Sequence, residues 1–115
     1  MARWEIKKVK IAGVAAAVPE NVVYTTDFDF FAPGEAEVFN NTVGIKRRHI
    51  APENICASDL CFAAAEKLVK DLGWDKESID VLIFESVTGD YRTPPTSCLL
   101  QDRLGLSENC FSMDI

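Results

Sequence analysis

The residues that could do chemistry in this chain of 115 residues are four cysteines, one histidine and one polar loop. A thiol becomes a nucleophile when a neighbouring base or positive charge favours its thiolate form. The cysteines are Cys56, Cys61, Cys98 and Cys110. They show no paired C-x-x-C spacing, and the single His49 has no cysteine or serine motif beside it. The pattern therefore predicts free thiols that serve as small core residues, and we expect no zinc or other metal site.

A second candidate is the polar cluster of Asp90, Tyr91 and Arg92. It follows an apolar run, and open α/β sheets bind their ligands beyond the carboxyl ends of their strands. A solvated loop is the simpler interpretation, because many polar loops carry no function. The sequence has no nucleophile elbow, no Walker loop and no H-E-x-x-H motif. No complete catalytic constellation is visible, so the residues alone leave the function open.

The strands that would carry these residues are predicted from apolar runs. Residues 9–18 form a continuous apolar run that predicts a strand buried on both faces of a mostly parallel sheet. Two further buried strands are predicted over residues 79–86 and 110–115. In residues 44–51 apolar and polar side chains alternate weakly, which favours a short edge strand.

Helices are predicted between these strands. In residues 58–72 apolar side chains recur every four positions, Ser58 suits the N-cap, and Gly73 suits the position that ends the helix. Residues 25–43 are interrupted by a Pro-Gly pair, and we predict two short helices there, the second from about residue 35 to 41.

Two adjacent prolines, Pro94 and Pro95, suit the first turn of a further helix that Gly105 closes. This helix would connect the last two predicted strands. The helix predicted over 58–72 and the buried strands at 9–18 and 79–86 on either side of it form a right-handed crossover unit. Residues 110–115 are the third strand of the series, which we also expect to be parallel. The sequence therefore predicts an α/β fold with a mostly parallel sheet and crossover helices.

Composition limits the partners of the chain. The net charge is −6, with 18 acidic and 12 basic residues, which argues against a nucleic-acid surface. No apolar run approaches the roughly 20 residues that span a bilayer, and the first residues lack the apolar segment of a signal peptide. We expect a cytoplasmic protein of one domain that binds neither nucleic acid nor membrane.

Four strings in a fixed order resemble the N-terminal part of the β-ketoacyl-acyl-carrier-protein synthase III family, in the thiolase superfamily. The strings are KIAGVAAAVPENVV at 10–23, VGIKRRHIA at 43–51, ASDLCFAAAEKLVKDLGWDKESIDVLIFESVTGDYRTPPTSCLLQDRLGL at 57–106 and FSMDI at 111–115. In the same order, the first two strings are similar to a first strand ending in L-P-x-x-x-V and to a T-G-I segment. The third is similar to a crossover helix and strand, followed by a loop that runs into Pro-Ser/Thr and then Q-x-x-L-G. The fourth is similar to a strand ending in F-D. Each string alone is weak, so the specificity lies in their order.

The resemblance implies a partial thiolase-like fold in which residues 1–115 form the N-terminal part of a condensing-enzyme domain. The implied reaction is acyl transfer from acyl-CoA to a cysteine, followed by decarboxylative condensation with malonyl carried on acyl carrier protein. It belongs to fatty acid or related biosynthesis. The implied enzyme is a homodimer that uses a CoA thioester as substrate and needs no cofactor.

The nucleophilic cysteine of the family follows the strand matched here by residues 111–115, and its histidine and asparagine belong to the second half of the enzyme. We therefore expect the chain to stop short of the catalytic helix and to be inactive alone, with no catalytic residue among those present. Cys98 matches a helix position without catalytic duty, and Cys110 precedes the strand that leads to the nucleophile.

Three residues are candidate substrate contacts, although for Lys46 and Arg47 solvation at an edge strand is the simpler interpretation. Thr93 matches a residue that reaches across the dimer and forms the floor of the acyl pocket in the partner subunit. The small side chain of threonine would admit a longer or bulkier acyl chain. Lys46 and Arg47 are candidate contacts for the CoA phosphates. The aromatic residue and the arginine that contact the CoA adenine align with Val38 and Thr42, which cannot stack on a purine or neutralise a phosphate.

Other interpretations stay open at this point. A chain of this kind could be a non-catalytic assembly or binding module that associates through its last strand. Hydroxymethylglutaryl-CoA synthase-like and ester-forming relatives share the same start. An uncovered last strand would also leave an apolar edge and face, so we expect dimerisation or poor solubility.

Overall fold

The computed structural model describes residue 5 and residues 7–115. The strands are β1 (Val22–Tyr24), β2 (Arg47–His49), β3 (Val81–Phe84) and β4 (Phe111–Asp114), and the helices are α1 (Glu35–Val43), α2 (Ala57–Leu72) and α3 (Thr96–Leu104). Single turns of 3-10 helix lie at Thr25–Asp27 and Lys76–Ser78. Among the described residues, no helix is both long enough and apolar enough to cross a membrane.

The elements form two packed groups. In the first, β1 pairs antiparallel with β2, and α1 packs on the 3-10 turn that follows β1. In the second, β3 pairs in parallel with β4 while α2 and α3 pack together and α3 covers the sheet. The parallel pairing of β3 and β4 across α3 confirms the predicted third strand of the series. The crossover unit predicted around α2 is wrong for the described residues, because no strand forms at residues 9–18 to pair with β3. The register places Val81 opposite Phe111 and Phe84 opposite Asp114.

The N-cap of helix α2 lies two residues earlier than the sequence predicts. Its N-cap is Cys56, whose amide donates to a carboxylate oxygen of Asp59 at 2.9 Å. The prediction of Ser58 as N-cap is therefore wrong, since Ser58 lies inside the first turn and its hydroxyl bonds elsewhere. The other end is confirmed, because Gly73 adopts φ 62° and donates to the carbonyl of Lys70 at 3.1 Å. This left-handed conformation is favourable for glycine, which has no Cβ.

Helix α3 follows the two prolines instead of including them. Pro95 occupies the N-cap with an extended ψ of 139°, so the prolines precede the first turn. Gly105 ends the helix at φ 63°, as predicted. The side chain of Gln101 then ties the helix to the segment entering β4, donating to the carbonyls of Ser107 at 2.7 Å and Cys110 at 3.0 Å.

Residues 9–18 do not form the predicted strand. They run alongside α2, and their side chains alternate between half-buried and exposed positions. A Cβ placed on Gly13 would lie 3.0 Å from a methyl carbon of Leu68, so the backbone of this segment approaches the helix closely. The alternate positions are solvent-exposed, including Val14 at 84% and Val18 at 62%. The apolar run is therefore covered on one side, and within the described residues it has no backbone strand partner.

The predicted burial of β3 and β4 on both faces is also wrong. Helices cover one face of this two-stranded sheet, and Phe84, Leu100 and Leu104 are buried there. On the other face Val81 and Phe111 are 53% and 60% exposed. The reason is geometric, since α2 and α3 both pack on the same side.

Global dimensions agree with a small core. The radius of gyration is 18.4 Å, whereas a compact domain of this length has about 13 Å. The accessible surface is 9388 Å², whereas a folded monomer of this mass exposes about 6,200 Å². The core formed by the described residues is therefore small for a chain of this length.

The first group follows its predicted elements more closely. The edge strand predicted over 44–51 appears as β2, and the second short helix appears as α1, from Glu35 to Val43. The first predicted helix is a single 3-10 turn. Four phenylalanine rings pack in a chain with centroid distances of 4.4–5.5 Å. They belong to Phe28, Phe30, Phe31 and Phe39.

Candidate functional site

The candidate site is the loop that connects β3 to α3, residues 85–95, together with the end of β4. Because β3 and β4 are parallel, their carboxyl ends lie at the same edge of the sheet. Ligand sites of open α/β sheets lie at this edge. Thr93 is exposed in this loop, and the Thr93–Pro94 peptide bond is cis.

Asp90 fixes the loop to helix α2, so the loop is more than a solvated segment. One carboxylate oxygen accepts the Ser58 amide at 3.4 Å, and the other accepts the Ser58 hydroxyl. Ser58 is only 3% exposed. Tyr91 and Arg92 are exposed and agree with the predicted solvated loop, whereas Asp90 departs from it.

Arg103 of α3 also bonds to the start of α2, where Asp90 is bound. Its guanidinium donates to the Ser58 hydroxyl oxygen at 3.2 Å and to Asp59 at 2.9 Å, and it lies 4.7 Å from the centroid of the Phe62 ring. The hydrogen bond from the Cys56 amide, together with Arg103, lowers the pKa of Asp59. A planar guanidinium suits this position because it can donate to two partners while stacking on a ring.

Asp114, at the end of β4, caps the start of α3. Its two carboxylate oxygens accept the amides of Thr96 and Ser97, each at 2.8 Å. Thr96 and Ser97 are fully buried. Hydrogen bonding from Ser97, and from the Thr96 amide, lowers the pKa of Asp114. The N-terminal amides of a helix otherwise lack partners, so a carboxylate here stabilises both the helix and its attachment to the sheet.

Sequence reasoning missed these two carboxylate ties. Asp90 lies 32 residues from Ser58, and Asp114 lies 17 residues from Ser97. No periodicity or local spacing links such pairs. The one available signal was the position of Asp90 in the loop after the predicted strand 79–86 and of Asp114 near the end of the predicted strand 110–115.

The cysteines are free, and the structure separates them. Cys110 is buried, as predicted for a small core residue, whereas Cys56, Cys61 and Cys98 are exposed, so the prediction is wrong for these three. Cys61 lies at the edge of the region between α2, α3 and β3, where it lines a cavity with Leu68 and Leu82. Partial burial, and the negative charge of Asp90, raise the pKa of the Cys61 thiol. Within the described part of the chain, no three His, Cys, Asp or Glu side chains are grouped to hold a metal ion.

Lys46 and Arg47 lie in the first group of elements, apart from the loop that carries Thr93. Both side chains are exposed. Their backbone is held by the β1–β2 pairing, in which Arg47 faces Tyr24, and by the Thr25 amide, which donates to the Lys46 carbonyl at 3.0 Å. His49 is exposed, and its Nδ1 donates to the Pro19 carbonyl at 2.5 Å.

Val38 and Thr42 lie on α1 and line an open groove of about 400 Å³. The Thr42 hydroxyl turns back to donate to the Val38 carbonyl at 2.8 Å, so it is not directed at a ligand. Phe31 and Phe39 line the same groove. The groove is therefore apolar and partly aromatic, a feature that the sequence comparison at positions 38 and 42 did not reveal.

The chain resembles enzymes of one kind along most of its length. It is 36% identical over 108 residues to a β-ketoacyl-[acyl-carrier-protein] synthase III of Acholeplasma laidlawii, covering 93% of this chain and 34% of the relative. A second relative with that name, from Geobacillus kaustophilus, is 34% identical over 105 residues, with 91% and 34% covered. No family model matches the chain.

A solved structure shares the fold. The crystal structure of a 3-oxoacyl-(acyl-carrier protein) synthase from Burkholderia xenovorans superposes with a TM-score of 0.85 at 38% identity, covering 92% of this chain and 31% of that protein. The chain thus spans about a third of the length of the proteins it matches, and its fold is a partial thiolase-like α/β fold. It matches the N-terminal portion of a β-ketoacyl-acyl-carrier-protein synthase III, an enzyme of the thiolase superfamily.

Proposed function

We propose that this chain forms the N-terminal part of an acyltransferase that condenses an acyl-CoA with malonyl-acyl carrier protein. The observation that carries the proposal is the similarity over 93% of the chain to a β-ketoacyl-[acyl-carrier-protein] synthase III, at 36% identity. The agreement in fold with a 3-oxoacyl-(acyl-carrier protein) synthase, at a TM-score of 0.85, supports it. The product would feed fatty acid or related biosynthesis.

The proposed reaction has two steps. A cysteine thiolate attacks the thioester carbonyl of acyl-CoA, the carbon–sulfur bond to CoA breaks, and CoA leaves as its thiol. Malonyl-acyl carrier protein then loses CO₂, and the resulting carbanion equivalent attacks the acyl-enzyme and releases the cysteine. Hydrogen-bond donors that hold the thioester oxyanion would accelerate both steps. The CoA thioester is a substrate, and the chemistry needs no further cofactor.

We assign the nucleophile to none of the four cysteines present. A nucleophilic thiol needs solvent access and a lowered pKa. Cys110 is buried, and its thiol donates to the neighbouring Phe111 carbonyl at 3.9 Å. The raised pKa of Cys61 disfavours its thiolate. In the family that the chain resembles, the nucleophile instead follows the strand equivalent to β4.

Thr93 is the proposed acyl-pocket residue. Its exposure, in a loop at the carboxyl edge of the sheet, supports contact with a second subunit of a homodimer. A short side chain there would leave room for a long or branched acyl chain. Lys46 and Arg47 are proposed to contact the CoA phosphates, which their exposure permits. The cytoplasmic location stays a prediction.

The test is a chimera in which this sequence replaces the matched N-terminal third of the Acholeplasma laidlawii relative. The purified chimera is assayed for condensation of acyl-CoA with malonyl-acyl carrier protein, with the unmodified relative as control. Turnover by the chimera is the expected result. A chimera that folds and forms the same oligomer as the relative, yet shows no turnover, would contradict the proposal.

A further inference from the structure

We propose that Asp90 is a positioning residue, which holds the loop of residues 85–95 in the conformation that presents Thr93. The link to Thr93 rests on the proposed function, whereas the tie itself rests on the contacts of Asp90. Nothing about Asp90 is implied by the resemblance to condensing enzymes. Residue 90 lies between two helices, since its carboxylate bonds to Ser58 of α2 and its amide bonds to Thr96 of α3.

The loop has few other anchors. Val87 is fully exposed, Tyr91 is 63% exposed, and the side chains of residues 92–95 are also exposed. Among residues 87–93, Asp90 is the one side chain that is half-buried. It is also the one residue of that stretch with a described side-chain hydrogen bond to another element. Without it, little burial would restrain the loop.

The hydrogen bonds of Asp90 have a fixed direction. Arg103 can only donate, so its bond to the Ser58 hydroxyl uses a lone pair of that oxygen. The hydroxyl proton is then free to be donated to Asp90, which as a carboxylate can only accept. The chain of bonds runs from Arg103 through Ser58 to Asp90, and it begins and ends on opposite charges. Such charge-assisted bonds are stronger than neutral ones.

Asp90 is held through its backbone as well. Its amide donates to the hydroxyl oxygen of Thr96 at 3.2 Å, and Thr96 is fully buried at the start of α3. The side chain therefore fixes residue 90 to α2 while the backbone fixes it to α3. Thr93 lies three residues further along and three residues before Thr96. A short segment with both ends held has little freedom, so the position of Thr93 follows from these bonds.

The first experiment uses this chain and limited trypsin digestion. Trypsin can cut after Arg92, within the loop, and after Lys67, inside α2. In Asp90→Asn we expect cleavage after Arg92 to accelerate about tenfold, the ratio that corresponds to losing one charge-assisted bond. Cleavage after Lys67 should change less than twofold, because it requires α2 to open. Ser58→Ala removes the donor from the other side and should give the same pattern.

Glu85→Gln is the matched control, because it removes one exposed carboxylate from the same loop. It should leave both cleavage rates unchanged. If cleavage after Arg92 is unchanged in Asp90→Asn, the positioning role is overturned. Equal acceleration after Arg92 and Lys67 would also overturn it, since that pattern reports global destabilisation.

The second experiment tests the link to the acyl pocket in the active chimera. We expect Asp90→Asn to change kcat/KM for long-chain acyl-CoA relative to short-chain acyl-CoA by at least threefold, chiefly through KM. Selectivity that stays unchanged in an active variant would overturn the positioning of Thr93 while leaving the proposed function intact. An unmodified chimera without activity would instead count against the proposed function, and the digestion experiment would then decide the role of Asp90.

Discussion

Replacing Asp114 tests whether a carboxylate at the end of β4 holds helix α3 to the sheet. Asp114→Ala removes both acceptors from the amides of Thr96 and Ser97, which now lie at 2.8 Å. Loss of a helix N-cap costs about 0.5–2 kcal/mol. Asp114 makes two charge-assisted bonds to buried residues, so we expect a loss near the upper end of that range. After allowance for the exposure of Asp114, the free energy of unfolding should fall by about 2 kcal/mol.

Urea unfolding followed by circular dichroism at the helical band measures this loss. With a slope of about 1–1.5 kcal/mol per molar urea, a loss of about 2 kcal/mol lowers the midpoint by about 1–2 M. Asp114→Asn keeps one acceptor oxygen and should lose about half as much. Asp102→Ala is the control, because Asp102 is an exposed acid on the same helix with no capping role.

The pH dependence gives an independent check. The pKa of Asp114 is lower in the folded chain than its ordinary value of 3.8. Its stabilising contribution is therefore fully present above the ordinary value, and it is lost as the pH falls through the lower folded value. The difference between the unmodified chain and Asp114→Ala should be constant from pH 7 to 5 and shrink below about pH 3.8. The capping argument is wrong if Asp114→Ala behaves as Asp102→Ala does, or if the difference persists unchanged at pH 2.

Three further outcomes are expected. Gly13→Ala should destabilise the chain by about 1 kcal/mol in the same urea assay, because the new Cβ would lie 3.0 Å from a Leu68 methyl carbon; an unchanged midpoint would show that the helix yields. Ile83→Lys, on the uncovered sheet face where Ile83 is 55% exposed, should reduce self-association measured by light scattering without lowering stability; a chain that is already monomeric at high concentration would contradict this. Thr93→Phe in the chimera should narrow the range of acyl-CoA chain lengths accepted, and unchanged selectivity would remove Thr93 from the pocket.

Local signals in the sequence predicted the ends of helices well. Gly73 and Gly105 adopt the left-handed conformation that ends α2 and α3, and glycine there is favoured by its missing Cβ alone. The apolar runs also gave the correct order of β3, α3 and β4. These features depend on residues within one or two turns of each other, which is why a sequence pattern suffices to predict them.

Features that depend on a distant partner were not predictable in the same way. The apolar run at residues 9–18 has the composition of a buried strand, but a strand requires a second backbone to bond with, and composition does not identify one. The same reasoning applies to the burial of β3. An exposed fraction of 53% for Val81 reflects which face the helices cover, and apolar composition alone does not encode that choice.

The buried part of this chain is concentrated at the candidate site. Ser58, Thr96 and Ser97 are buried polar residues, and all three bond to a carboxylate at the end of β3 or β4. Beside them lie the buried side chains of Leu100 and Leu104 on α3. Three of the four buried polar residues that the structure describes thus bond to Asp90 or Asp114, whereas the fourth, Thr25, donates to the Ile45 carbonyl at 2.7 Å in the first group of elements. One face of the β3–β4 sheet stays open.

This distribution has an energetic consequence. A small apolar core provides little stabilisation, so the charge-assisted bonds at Asp114 contribute a larger share of the free energy of unfolding than they would in a compact domain. Breaking a buried polar network also leaves its remaining donors without partners, which costs more than the bond itself provides. Asp90 therefore fixes the loop to α2, and Asp114 holds α3 to the sheet. Substitutions at Asp90 and Asp114 should consequently affect the loop before they affect the first group of elements around α1.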